Sequence, residues 1–168
     1  AAKIRLLALD VDGVLSDGRL FFAEDGQELK TFDTQDGHGI KMLQSAGIEV
    51  AIITGRTTAL VQRRAANLKI KHLLQGREDK LVALKELITE LGYELEEVAY
   101  VGDDWPDLPA ILASGLGIAV ANAHSELRTR ADHVTTLTGG RGAVREVCDL
   151  LLHAQDRYSA ALAPYLAI

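Results

Sequence analysis

The chain has 168 residues, of which 48% are hydrophobic and 25% charged, with a formal net charge of -6. This composition belongs to a globular chain that can bury a core, and it excludes an extended disordered one. The acidic balance argues against a general nucleic-acid binder, which presents a basic face. No stretch approaches the ~18 uninterrupted apolar residues of a membrane-spanning helix. The single cysteine, Cys148, permits no disulfide within the chain, which points to a reducing, cytoplasmic setting and a buried structural thiol. One domain over residues 1–168 is the expectation.

In chain order, residues 4–9 form a short, mostly apolar run, the kind buried on both faces of a parallel sheet. It ends in Asp10-Val11-Asp12-Gly13. Lys3 and Arg5 give this start the look of a secretory leader, but Asp10 and Asp12 interrupt it and no small-residue cleavage site follows. Residues 19–22 and 28–32 read as two strands joined across Ala23-Glu24-Asp25-Gly26, where Asp-Gly is a hairpin signal, so a hairpin occupies about 18–33. Asp36 precedes a helix that runs to Ala46 and is closed by Gly47. Residues 49–53 are the next strand, ending in Thr54-Gly55-Arg56, and 58–68 read as a helix. A short strand at 71–74 is followed by a strongly periodic helix at 80–91, with Leu81, Leu84, Leu87, Ile88 and Leu91 on one face and Gly92 as its stop. The strand at 98–101 ends in Gly102-Asp103-Asp104. A helix at about 107–113, a strand at 117–120, a short helix at 126–131, a strand at 133–135 and a helix at 142–155 follow. The tail from 156 to 168 has little pattern and contains Pro164.

Strands that alternate with helices specify an α/β fold with a mainly parallel sheet between helices, linked by right-handed crossovers. Ligands in such folds bind beyond the carboxyl ends of the strands. Three strands here end in polar clusters, Asp10/Asp12, Thr54/Arg56 and Asp103/Asp104/Asp107, and Lys80 opens a helix. Carboxylates placed after apolar strands are costly to bury unpaired, and a hard cation with oxygen ligands relieves their repulsion. Mg²⁺ suits such a site, because it is held by one or two carboxylates plus water and substrate phosphate. His72, His124, His133 and His153 lack metal-ligand spacing, so no zinc site is expected.

Four segments, Asp10-Val11-Asp12-Gly13-Val14-Leu15, Thr54-Gly55-Arg56, Lys80 and Gly102-Asp103-Asp104-Trp105-Pro106-Asp107, resemble in order the four motifs of the haloacid dehalogenase-like (HAD) phosphatases. The resemblance implies a Rossmann-like HAD fold and a Mg²⁺-dependent phosphatase. It implies Asp10 as the nucleophile that becomes an aspartyl phosphate, and Asp12 as general acid and then base. It implies Mg²⁺ held by the Asp10 carboxylate, the Asp12 backbone carbonyl and the Asp103 carboxylate. Thr54 and Gly55 would meet the phosphoryl group, and Lys80 would neutralise Asp10 and the phosphate. The gaps from Asp12 to Thr54 and from Thr54 to Lys80 hold only a hairpin and helix, then a helix and short strand. Neither has room for a cap domain, so a cap-less, open site with a protruding hairpin is expected.

Further segments at 12–18, 32–40, 53–56 and 139–146 resemble the family that hydrolyses 3-deoxy-D-manno-octulosonate 8-phosphate (KDO 8-phosphate). That implies a cytoplasmic homotetramer releasing KDO and inorganic phosphate for the inner core of lipopolysaccharide. Phosphatases of sialic acid 9-phosphate share much of the pattern and stand as the alternative. A non-enzymatic phospho-receiver domain, with an acidic pocket and a lysine on an α/β sheet, is a second alternative, but Asp12 supplies the extra carboxyl that turnover needs. Of Asp104 and Asp107, one is expected to support the metal shell and the other to cap the following helix. Arg56 is expected to recognise a substrate carboxylate or phosphate, with a plain surface charge as the other reading. His38 reads equally as a substrate contact or a first-turn helix residue. The Gly139-Gly140-Arg141-Gly142 segment is either a loop or a set of amides near an anion. Adjacent Leu20, Phe21 and Phe22 must expose apolar surface in a two-stranded ribbon, so hairpins of several subunits are expected to pair. The tail is expected to help close a neighbour's site.

Overall fold

The computed structural model describes residues 1–167. Its centre is strand β1 (Leu6–Leu9), in which all four residues are buried. A strand covered on both faces needs apolar side chains at every position, which Leu-Leu-Ala-Leu supplies. β1 pairs in parallel with β4 (Glu49–Ile53) on one side and β6 (Val98–Gly102) on the other. β5 (His72–Leu74) extends the sheet beyond β4, and β7 (Leu116–Ala119) and β8 (His133–Val134) extend it beyond β6. The order is β5-β4-β1-β6-β7-β8, with every pairing parallel. The chain runs outward from β1 to β5 and then returns to β1's other edge. That reversal is the switch point at which such sheets open a crevice.

Helices cover the sheet. α1 (Thr34–Ser45) packs against α6 (Ala143–Ala154), while α3 (Lys80–Leu91) packs against α4 (Leu108–Ala113). α2 (Ala59–Asn67) lies between β4 and β5 in sequence, and α5 (Ser125–Arg130) between β7 and β8. α3 stops at Gly92, as its sequence predicts. Cys148 is buried in α6, and burial pushes its thiol's proton affinity up, consistent with an inert core residue. The cap-less α/β architecture follows the sequence reading.

Two elements depart from it. α1 begins at Thr34, because Asp33 is the N-cap and its carboxylate accepts from the Gln35 and Asp36 amides at 2.6 and 3.1 Å. Asp36 is therefore inside the helix and buried, and its Oδ1 accepts from the Arg145 amide at the start of α6 at 2.8 Å. The patternless tail is also ordered: α7 (Tyr158–Leu166) is a helix that touches α6. Pro164 lies within it despite lacking an amide donor, and Tyr158 stacks on His153 of α6 at 3.9 Å between ring centres. Packing rather than propensity holds this helix.

The hairpin is short. β2 (Phe21–Phe22) pairs antiparallel with β3 (Glu28–Leu29), with Phe21 opposite Leu29 and Phe22 opposite Glu28. Its turn closes through Ala23 N–H to Gln27 O at 2.9 Å. Phe22 and Leu29 are 66% and 59% exposed, so the ribbon does present apolar surface outward.

Burial raises the Asp36 pKa from the ordinary 3.8 to about 6, against the pull of the Arg145 amide. A carboxyl raised on folding favours the native state while protonated. Its stabilising contribution is present at low pH and is lost as pH rises from about 4 through about 6. Asp36→Asn keeps an oxygen for the Arg145 amide but cannot ionise. Its melting temperature relative to the parent is expected to rise between about pH 4 and about pH 6.5, as read by thermal melts across that range.

Candidate active site

Asp10 follows β1 directly and is buried. Lys80, the first residue of α3, reaches it from the far side of the crevice: its Nζ lies 2.9 Å from Asp10 Oδ1 and 2.7 Å from Asp107 Oδ1. The side chains of all three are at least 93% withdrawn from solvent, so the ammonium is the main local compensation for two carboxylates. Asp107 is the hub. Its Oδ1 also accepts from the Tyr100 hydroxyl of β6 at 2.9 Å, and its Oδ2 accepts from the Asp103 and Asp104 amides at 3.0 and 3.3 Å. Four donors fill the acceptor sites of one carboxylate. The Asp104 carboxylate caps the 3₁₀ turn at Trp105–Asp107 by accepting from the Trp105 amide at 2.8 Å. Asp104 and Asp107 are the two halves of one capping box on this turn, and of the pair only Asp107 also accepts from Lys80 and Tyr100.

Carboxylate oxygens of Asp10, Asp103 and Asp107 lie within 4.8 Å of one another. Burial first, and then the Asp107 charge, raises the Asp10 pKa to about 8 and that of Asp103 to about 7. Burial works against the Lys80 charge, but Asp10 and Asp107 outweigh it and hold its proton above the ordinary value. Tyr100 is pushed well above 10 by burial and by Asp107, so it remains a hydroxyl donor. The cluster therefore has more carboxylate charge than one ammonium balances. Asp107 has no lone pair to spare, whereas Asp10 and Asp103 do. Two hard oxygen donors from neighbouring strand ends match what Mg²⁺ takes from a protein.

Gly13 makes the approach possible. Its φ is +90°, and a Cβ there would lie 2.0 Å from Asp103 Oδ2, so no side chain fits between the two strand ends. The Gly139–Gly142 loop closes over the same turn. The Gly140 amide donates to Val14 O at 2.8 Å and the Gly139 amide to Asn122 Oδ1 at 2.7 Å, while Asn122 Nδ2 donates to Gly13 O at 3.2 Å. A Cβ on Gly139 would sit 1.7 Å from Gly13 O. These two amides brace the Asp12–Val14 turn, while the Gly142 amide bonds the buried Asp36 carboxyl.

The other expected residues fall as follows. Thr54, after β4, is buried, its amide donating to Leu74 O at 2.9 Å and its carbonyl accepting from Arg77 N at 3.0 Å. Gly55 lies beside the Glu78 carboxylate, which a Cβ there would meet at 2.5 Å. The Asp12 carboxylate meets the hairpin, where Oδ1 accepts from Lys30 Nζ and Oδ2 lies 3.9 Å from Arg56 Nε. Arg56 also donates to Glu28 Oε2 at 2.7 Å. His38 lies edge-on to Tyr165 of α7, with ring centres 5.5 Å apart. Sequence reasoning missed Lys30, Glu28, Tyr100 and Asn122. A tyrosine in a strand buried at every position is a signal for Tyr100; the other three join the site only through tertiary contact. Beside the acids, exposed Trp105 donates from Nε1 to His124 Nδ1 at 3.0 Å, and the His124 amide donates to Asp103 O at 2.8 Å.

Residues 72–146 match a family of haloacid dehalogenase-like hydrolases. The 3-deoxy-D-manno-octulosonate 8-phosphate phosphatase of Escherichia coli K12 is 55% identical over 161 residues, covering 96% of this chain and 86% of that protein. The chain belongs to the haloacid dehalogenase-like hydrolases. Among solved structures of the family, a probable phosphatase from Pseudomonas syringae superposes with a TM-score of 0.98 at 57% identity, covering 99% of this chain and 95% of that one. The 3-deoxy-D-manno-octulosonate 8-phosphate phosphatase of Moraxella catarrhalis, solved with magnesium, phosphate and KDO, gives 0.96 at 50% identity over 98% and 94%. All four family motifs of this chain converge on the crevice at the carboxyl ends of β1, β4 and β6.

Asp107→Ala removes one acceptor from Lys80, Tyr100 and two amides. Lys80 keeps Asp10 at 2.9 Å, but the buried Tyr100 hydroxyl and the two amides lose their acceptor, and buried donors left unsatisfied cost about 3–5 kcal/mol together. Urea unfolding is expected to show a loss of that size, whereas Asp104→Ala, which removes only an exposed turn cap, costs about 1 kcal/mol.

Proposed function

We propose that this chain hydrolyses KDO 8-phosphate to KDO and inorganic phosphate with Mg²⁺, as a cytoplasmic step in making the inner core of lipopolysaccharide. The observation that carries the reading is the Asp10–Lys80–Asp107 chain beside Asp103, in a protein 55% identical along nearly its whole length to a phosphatase of that substrate.

Asp10 is the nucleophile. One carboxylate oxygen forms a bond to phosphorus as the bond from phosphorus to the sugar oxygen breaks. Lys80 holds that carboxylate in place and offers positive charge to the phosphoryl oxygens. Thr54, Gly55 and Arg56, at the end of β4, line the approach of the phosphate. Asp12 gives its proton to the departing sugar oxygen and then takes one from water, which attacks the aspartyl phosphate and frees Asp10. Asp10, Asp103 and the Asp12 carbonyl are the residues that would hold Mg²⁺, whose chemistry is to neutralise phosphoryl charge and align the phosphate for attack. Each part is needed, because uncatalysed phosphate-monoester hydrolysis is among the slowest reactions known and a general acid alone contributes only ~10²–10⁴. Among the described residues, no helix is long and apolar enough to cross a membrane.

The outward apolar face of the hairpin supports a homotetramer. Leu20, Phe21, Phe22 and Leu29 are all exposed in the lone chain, and hairpins from other copies would cover them. Native mass measurement is expected to show a tetramer for the parent and smaller species for the Phe21→Asp, Phe22→Asp double variant; an unchanged tetramer would exclude the hairpin as its core.

Phosphate release over a panel of KDO 8-phosphate, sialic acid 9-phosphate and phosphoserine with Mg²⁺ tests the activity. KDO 8-phosphate is expected to turn over repeatedly and preferentially, with loss of activity in Asp10→Asn and on chelation. Preference for sialic acid 9-phosphate would reassign the substrate. A single stoichiometric phosphorylation without release would instead mark a receiver domain.

A further inference from the structure

We propose that Lys30 is a positioning residue for Asp12, which makes the hairpin a working part of the active site as well as an outward surface. The inference rests on the reading of Asp12 as acid and base given above.

Every residue from 18 to 27 is exposed, as expected of a two-stranded ribbon. Lys30, just past β3, breaks that pattern: its side chain is wholly buried. A lysine ammonium is among the most expensive groups to withdraw from water, and a buried one needs an anionic partner. The partner is Asp12, whose Oδ1 accepts from Lys30 Nζ. Glu28, two residues earlier, keeps the ammonium there from the other side. Its Oε1 lies 4.0 Å from Lys30 Nζ and has no hydrogen-bond partner of its own, while its Oε2 is tied to Arg56. Lys30, Glu28 and Arg56 thus form a frame around the Asp12 carboxylate, three-quarters of which is withdrawn from solvent.

Asp12 sits on a turn, and no helix or strand fixes its side chain. A general acid must present its oxygen to the leaving group within a narrow range of distance and angle. Lys30 supplies that constraint by holding Oδ1, while Oδ2 lies 3.9 Å from Arg56 Nε. Lys30 does not touch the reacting atoms; it acts through Asp12 alone.

The test uses the full chain with Mg²⁺ in parent, Lys30→Met, Lys30→Arg and Asp12→Ala forms, each checked for cooperative melting. Two reactions are measured: steady-state turnover of KDO 8-phosphate, and single-turnover nitrophenolate release from 4-nitrophenyl phosphate with enzyme in excess. Nitrophenolate leaves without a proton, so its release reports phosphoryl transfer to Asp10 alone. Lys30→Met is expected to lower kcat for KDO 8-phosphate by about tenfold or more, within the ~10²–10⁴ that a general acid supplies. Its KM and its nitrophenolate burst are expected to stay within about threefold of the parent. Lys30→Arg is expected to recover most of the lost kcat. Unchanged kcat, equal loss in both reactions, an effect on KM alone, or no recovery with arginine would each overturn the proposal. If Asp12→Ala is impaired while Lys30→Met is not, Lys30's role alone falls; if Asp12→Ala turns over KDO 8-phosphate like the parent, the acid–base reading falls with it. Should Lys30→Met not melt cooperatively, Lys30→Gln takes its place under the same criteria.

Discussion

One buried ammonium holds this site together. Lys80 lies between Asp10, from the end of the central strand, and Asp107, from the turn after its neighbour. A charge so withdrawn from water can be accommodated only where opposite charge meets it with good geometry. The arrangement constrains everything around it: α3 must begin where Lys80 can reach the crevice, β1 and β6 must pair in register, and the turn after β6 must fold back so that Asp107 faces inward. Parallel pairing of Leu9 with Val101 brings the next residues of both strands to the same level. Asp107 then binds the turn to itself by accepting from the Asp103 and Asp104 amides, so the residue that anchors the lysine also presents Asp103. A carboxylate saturated by four donors is a scaffold, and the two beside it are free for a cation.

Much of this was legible in the chain. Apolar runs ending in polar clusters, acidic after β1 and β6 and Thr54-Gly55-Arg56 after β4, located these three strands, because burial on both faces demands continuous hydrophobicity and the crevice demands polarity just beyond it. The periodic face of 80–91 placed Lys80 at a helix start. What the sequence could not separate were residues whose roles depend on backbone direction inside a turn. Asp104 and Asp107 are three apart and alike in type; only the 3₁₀ geometry sends one outward to cap and the other inward. Asp36 looked like a helix-start acid, and became buried because α1 meets the first turn of α6.

The remaining misses share a cause. Lys30 joins Asp12 across 18 residues, and Asn122 reaches Gly13 across 109. No periodicity or motif encodes such contacts, which exist only after the sheet and its loops are assembled. The α7 helix was hidden for a different reason: its sequence carries Pro164 and little amphipathic pattern, and its stability comes from what it packs against. The hairpin belongs to both worlds. Its turn chemistry is local and readable, whereas the inward placement of one lysine among exposed neighbours is not.

Trp105 carries a consequence of another kind. It is the sole tryptophan of the sequence, and its indole is hydrogen-bonded to His124, whose own amide is bonded to the Asp103 carbonyl. The fluorophore is thereby wired to the backbone of the acid-bearing turn, and it is open to quenchers on its outer side. Emission from the intact chain is a local signal with no background from other indoles, so a movement of that turn on loading or product departure has an optical signature that needs no label.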